Sequence, residues 1–236
     1  MGLAEFHPAF CQPFERYPPL LQACACYGLR FNPALFEQTD FTRCDIAPVT
    51  GNAKRQSEYL AGRLCARQGL FEVIGEYQAP PRSSGGMPLW PHGARGSISH
   101  SHGRAAAVVG PASRWRALGL DLEPCLPVAR ALRLAPSILT PSERAHLAAL
   151  TSAKEQAFFV TLSFSLKESL FKALYPLCLT RFYFQHAQIV DYRQGKATVR
   201  LLCDLPGFAA QSLLSGQFLR QDQFVLTLVA IAAEPA

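Results

Sequence analysis

Leu118-Gly119-Leu120-Asp121-Leu122-Glu123 alternates polar or small residues with leucines at period two, the pattern of a β-strand. In a strand, residues two apart share a face. Leu120 and Leu122 therefore point into a core, while Asp121 and Glu123 project together from the opposite side. Gly119 lies on the carboxylate face and leaves room there for a ligand. Two hard oxygen donors converging in this way suit Mg²⁺, which takes one or two carboxylates and leaves its other positions to water and substrate phosphates. A D-x-E pair by itself is more commonly the solvated outer face of a strand, so a second acidic group must join it before it carries chemistry.

Upstream, Ser97 to Ser99 and Ala105 to Val109 read as strands around a turn at His102-Gly103, which makes a small sheet. From Asn52 to Leu70, the residues Ala53, Ser57, Leu60, Ala61, Leu64 and Cys65 recur at helical spacing. Lys54, Arg55, Arg63 and Arg67 occupy the remaining surface, so the segment is an amphipathic helix with a basic side. Pro80 to Gly86, PPRSSGG, is a candidate mobile loop. The first fifty residues, rich in proline and aromatics, form an irregular arm with short strands.

Downstream, Thr140-Pro141-Ser142-Glu143 has the N-cap, N1 proline and N3 glutamate of a capped helix running to about Leu150. A second helix spans Phe164 to Leu174. The runs Arg181 to Phe184, Ala187 to Val190, Ala197 to Leu202 and Phe224 to Ala230 read as antiparallel strands. Helix followed by strands, twice over, gives an α+β chain of two similar halves, although no repeat is visible in the residues themselves.

The 236 residues are 49% hydrophobic and 17% charged, too apolar for a disordered chain. Twenty-three Lys and Arg against 17 Asp and Glu leave a net charge of +6, which favours an anionic partner. There is no long uncharged apolar run and no leader pattern, so the expectation is a cytoplasmic protein without a membrane span. Eight cysteines without a C-x-x-C pair read as reduced packing residues rather than as a zinc site.

The second acidic group lies in Phe164 to Leu174, FSLKESLFKAL. Glu168 and Lys172 are four apart, hence neighbours on one helix face. Gly96 to Gly103, GSISHSHG, places small hydroxyls and two histidines at a strand end, groups able to hold phosphate. Neither a Walker loop nor a dinucleotide-binding glycine motif is present. His100-Ser101-His102 also fits a metal-binding H-x-H pair, or a histidine satisfied within the core. Together these groups make a coherent site for a magnesium-bound pyrophosphate.

Three strings in this order, GSISHS at 96–101, GLDLEP at 119–124 and FSLKESLFKAL at 164–174, resemble the three signature motifs of the 4′-phosphopantetheinyl transferases. KRQSEYLAGRLCAR at 54–67 is similar to the broad-specificity, siderophore-type members. The resemblance implies a pseudo-dimeric α+β fold of two helix-plus-antiparallel-sheet halves, 1–119 and 120–236, with the active site between them. It implies transfer of the phosphopantetheine arm of coenzyme A to a serine of an apo acyl, peptidyl or aryl carrier protein, releasing adenosine 3′,5′-bisphosphate.

By the same resemblance, Asp121, Glu123 and Glu168 surround Mg²⁺, or Mn²⁺ in its place, and Glu168 is the general base. Lys172 contacts the pyrophosphate; Arg55, Arg63, Ser99, His100 and Lys167 bind coenzyme A. Family members often carry a lysine where this chain reads Gly85-Gly86-Met87-Pro88, so either Arg82 replaces it or that contact is lost. Leu132, Ile138 and Leu147 are candidates for the surface that docks an acidic carrier. The chain is expected to be a monomer that binds neither nucleic acid nor membrane. The competing readings are a metal-dependent nucleotide phosphohydrolase and a basic nucleic-acid-binding module.

Overall fold

The computed structural model describes residues 7–234, and the chain divides into two compact units at Arg114/Trp115. A boundary at 119/120 would cut strand β5 (Trp115–Pro124) in half; the observed one leaves it whole in the second unit. Each unit is a long helix on an antiparallel sheet.

In the first unit, β1 (Glu15–Arg16), β2 (Ala25–Arg30), β3 (Ala94–Ser101) and β4 (Arg104–Pro111) form a sheet of order β1-β2-β4-β3. The short α1 (Thr39–Arg43) precedes α2 (Ala53–Ile74). The hairpin β3–β4 turns at His102 and Gly103, whose φ values of 48° and 73° are the two positive angles that a tight two-residue turn requires. Asn52 caps α2 by accepting the Arg55 N–H at 2.9 Å, and Gly75 ends it in the left-handed region. Leu60, Ala61, Leu64 and Cys65 pack in one core cluster with Leu29, Phe31, Phe41, Ala105 and Ala107.

The expected basic side of α2 is corrected. Arg63 and Arg67 are buried, and Arg67 donates to the Cys44 carbonyl at 2.7 Å with its guanidinium 4.6 Å from the Tyr77 ring centre. A long arginine can cover apolar surface with its stem and satisfy its head internally, which spacing along the helix does not reveal. Pro80 to Gly86 is likewise a bonded turn, with Ser83 N donating to the Met87 carbonyl at 2.8 Å and Gly86 N to the Ser83 carbonyl at 3.0 Å.

In the second unit, β5 is followed by α3 (Val128–Ile138), α4 (Pro141–Ala149) and α5 (Ala153–Cys178). Then come β6 (Ala187–Arg193), β7 (Lys196–Leu201), β8 (Leu213–Gln221) and β9 (Phe224–Ala232), in sheet order β5-β9-β8-β7-β6. Leu162, Leu166, Leu170 and Leu174 recur every fourth residue along α5, all fully buried, and seat it on the sheet beside Val199, Val225 and Val229. The capping box of α4 forms as the sequence foretells.

Several elements depart from the sequence reading, which assigned none to α1, α3 or β8 and began the α5 helix at Phe164 rather than Ala153. Helix α3 forms across Pro136, whose missing N–H orphans a carbonyl on the exposed Leu132, where water can satisfy it. Arg181 to Phe184 is no strand: Leu179 ends α5 in the left-handed region, and Phe184–His186 closes a 3-10 turn instead. Two of the three docking candidates are also corrected, because Ile138 and Leu147 are 3% and 9% exposed in the cluster under α3 and α4. Leu132, 43% exposed between the exposed Arg130 and Arg133, stays on the surface. The eight cysteines are free thiols.

Gly119 gives the largest correction. A Cβ there would lie 1.9 Å from the Ser169 carbonyl oxygen and 2.6 Å from the Ala173 nitrogen, so the space is filled by the backbone of α5 and holds no ligand. Gly119→Ala should therefore force α5 off β5 and cost about 3 kcal/mol or more in urea unfolding, the upper range for overpacking a core. An unchanged midpoint would show that the helix can yield.

Candidate functional site

The second unit carries the acidic constellation. Asp121 is only 3% exposed, facing α5 rather than solvent. Its Oδ1 accepts from Lys172 Nζ at 2.7 Å and its Oδ2 from Ser165 Oγ at 2.8 Å. Lys172 Nζ also donates to the Leu120 carbonyl at 3.0 Å. Glu168 sits one turn before Lys172 on α5, half-buried. Burial, reinforced by the negative charge of Asp121 and opposed by Lys172, raises its carboxyl above the ordinary glutamate range.

Asp121, Glu168 and Lys172 are thus brought together. Among the described residues, however, no three His, Cys, Asp or Glu side chains gather as a metal site, so the expected trio with Glu123 is not assembled by the chain alone. The donor chemistry fits a hard divalent cation all the same. Two carboxylates whose charges repel, beside a single ammonium, would be relieved by one, and Mg²⁺ needs no more than two protein carboxylates.

Lys167 is a correction. It is 2% exposed, and its Nζ donates to Glu143 Oε2 at 2.7 Å and to the Ile138 carbonyl at 2.8 Å, so it does not reach coenzyme A. Successive helix residues point about 100° apart, and adjacency to Glu168 in the chain sends Lys167 another way. Glu143 also accepts from Thr140 N and from Ile189 N, both at 2.7 Å, tying α4, α5 and β6 to one carboxylate. Sequence reasoning recovered only its capping role.

The first unit carries the cations. Arg55 is exposed in the first turn of α2; Arg63, two turns on, is 5% exposed with its guanidinium 4.5 Å from the Tyr59 ring centre. Burial lowers the pKa of Arg63, and the charges of Arg82 and Arg55 lower it further against the opposing effect of Tyr59. Its Nε is buried with no hydrogen-bond partner. A buried donor without a partner, under the positive charge of Arg55 and Arg82, is suited to an anion.

Ser99 is buried on β3, and His100 Nδ1 beside it lies 3.6 Å from Glu58 Oε2. Glu58, between Arg55 and Arg63 on α2, was missed by the sequence reading. Its spacing of three and five residues from those arginines was the available signal.

The N-terminal domain model of the 4′-phosphopantetheinyl transferases matches residues 50–110, and the superfamily model matches 117–229. Enterobactin synthase component D of Salmonella typhimurium is 36% identical over 210 residues, covering 86% of each chain. The transferase Svp of Streptomyces mobaraensis is 35% identical over 76% of this chain and 74% of its own, and Npt of Nocardia iowensis 33% over 76% and 83%. The chain belongs to the 4′-phosphopantetheinyl transferase superfamily. Within this transferase the two matches fall on the two units, the first on α2, β3 and β4 and the second on β5 through β9. The phosphohydrolase reading gains no support. Among the described residues no helix is long and apolar enough to cross a membrane.

Two outcomes follow for this transferase. Lys167→Met, which strands the Glu143 carboxylate, should cost about 3 to 5 kcal/mol of stability. The KM for coenzyme A of the folded fraction should be unchanged; a raised KM would return Lys167 to the substrate site. Glu168→Gln should stabilise the metal-free protein at pH 7. A carboxyl raised by folding destabilises the native state as pH climbs through its titration and has no such effect below its unfolded value, so the gain should vanish at about pH 4. Thermal unfolding at both pH values, with a chelator present, reads the difference.

Proposed function

We propose that this transferase moves the 4′-phosphopantetheine arm of coenzyme A onto a serine hydroxyl of an apo carrier protein. The serine oxygen bonds to the β-phosphorus, the bond from that phosphorus to the bridging oxygen breaks, and adenosine 3′,5′-bisphosphate leaves with that oxygen. Membership of the family supports the reaction class. The observation that carries the residue roles is the meeting of Glu168, Asp121 and Lys172 on β5 and α5.

Glu168 takes the serine proton. Its raised pKa makes it a stronger base than an exposed carboxylate. Lys172, held by Asp121 and the Leu120 carbonyl, is aimed at the charge that spreads onto the phosphate oxygens. Asp121 and Glu168 would hold Mg²⁺ or Mn²⁺, and the cation, when bound, would supply further neutralisation of that charge. Arg55, Arg63 and Arg82 take the nucleotide phosphates, and Arg82 thereby fills the role of the lysine missing at Gly85. Ser99 and His100 complete the phosphate contacts from β3.

The partner is an acidic apo carrier, steered by the net charge of +6 and docked as a single protomer on the α3 surface of Arg130, Leu132 and Arg133. Incubation with an apo carrier, coenzyme A and Mg²⁺ should add about 340 Da to the carrier, the mass of one phosphopantetheine arm gained by phosphoryl transfer. A chelator should abolish the gain. Asp121→Ala and Glu168→Ala should show none, and Arg63→Ala should raise the dissociation constant for coenzyme A in calorimetry. Phosphate release without any carrier modification would refute the reading.

A further inference from the structure

We propose that Thr227, with Ser165 and Ser169, forms a positioning network that fixes the Asp121 carboxylate for its cation. The inference rests on the transferase reading of Asp121 and adds three hydroxyls which that reading leaves unused. Thr227 lies on β9 directly opposite Asp121 in the sheet register. It is fully buried, as are Ser165 and Ser169 on α5. Its Oγ1 is 2.8 Å from Ser165 Oγ and 2.7 Å from Ser169 Oγ. Ser165 Oγ is in turn 2.8 Å from Asp121 Oδ2.

Proton counting sets the direction of every bond in this chain. A carboxylate only accepts, so the single Ser165 proton goes to Oδ2. The bond between Ser165 and Thr227 must then use the Thr227 proton, and the bond between Thr227 and Ser169 the Ser169 proton, which the Thr227 carbonyl at 3.0 Å shares. Three O–H dipoles therefore run head to tail toward Asp121, each polarising the next. On the other side, Lys172 holds Oδ1. With one oxygen pinned by the hydroxyl chain and the other by an ammonium, the carboxylate cannot rotate, and its remaining lone pairs keep a fixed aim.

The residue type argues the same way. Thr227 is the single polar residue of β9, FVLTLVAIA, where valine would fill the same volume. A buried hydroxyl costs stability unless it is bonded, so its place in an apolar strand is explained by the two bonds it makes rather than by packing.

The test compares wild type, Thr227→Val and Thr227→Ser in transfer kinetics, in calorimetric titration with Mn²⁺ alone and in thermal unfolding. Thr227→Val should lower kcat and weaken Mn²⁺ binding by about tenfold each, the usual loss when a group that orients a metal ligand is removed. The KM for coenzyme A should stay within about twofold, since no contact to it is lost. Thr227→Ser keeps the hydroxyl and should restore both readouts. Should Thr227→Val fail to fold, Ser165→Ala severs the same chain and should give the same division between kcat and KM. Wild-type kcat and Mn²⁺ affinity in Thr227→Val, or equal damage in Thr227→Ser, would overturn the network. Mn²⁺ affinity that depends on the Thr227 hydroxyl, in a wild-type protein that modifies no carrier, would instead overturn the transferase reading and leave the network standing.

Discussion

Helix α5 approaches strand β5 so closely at Gly119 that no side chain fits between the strand and the Ser169 carbonyl. The acidic half of the site depends on that contact. Because the helix axis is drawn against the strand, Ser165 can reach one oxygen of Asp121, and Lys172, two turns further on, can reach the other. Four leucines on the same helix press the contact home from the sheet side, and each buried leucine contributes about 2 kcal/mol of apolar burial. A methyl group at 119 would separate all of these at once.

The cost of placing charge against a packed helix is met by pairing. Asp121 has an ammonium and a hydroxyl; Lys167 has Glu143; Glu143 has a cap, a lysine and a strand N–H. Such pairs add little net stability over an apolar core, but a broken one is expensive, and they therefore select one packing. Glu168 and Arg63 differ from this pattern. Folding raises the pKa of the first by burial beside Asp121, and it leaves the Nε of the second without a partner. Unrelieved groups of this kind are where a protein stores capacity for a ligand.

The family motifs made the chemistry legible early because they are local. The strand period put Asp121 and Glu123 on one face, helical spacing put Glu168 beside Lys172, and the Thr140 to Glu143 cap came out as read. Helix α3 was left unassigned by the sequence reading, and nothing local shows that the carbonyl orphaned by Pro136 falls on the exposed side. Lys167 was placed by the motif resemblance, which does not show that its ammonium is taken by Glu143 and the Ile138 carbonyl.

By itself, the sequence determined the direction of each side chain about the axis of its own element, since a period of two or 3.6 residues fixes nothing more. The family and the reaction class came from the order and content of the three motifs. What covers each face was decided only by tertiary structure. The glycine face of β5 receives a helix rather than a ligand, Arg63 is buried rather than displayed, and Thr227, 106 residues beyond Asp121, becomes its register partner. These outcomes depend on contacts between residues far apart in the chain, which packing of the whole core selects and no local pattern encodes.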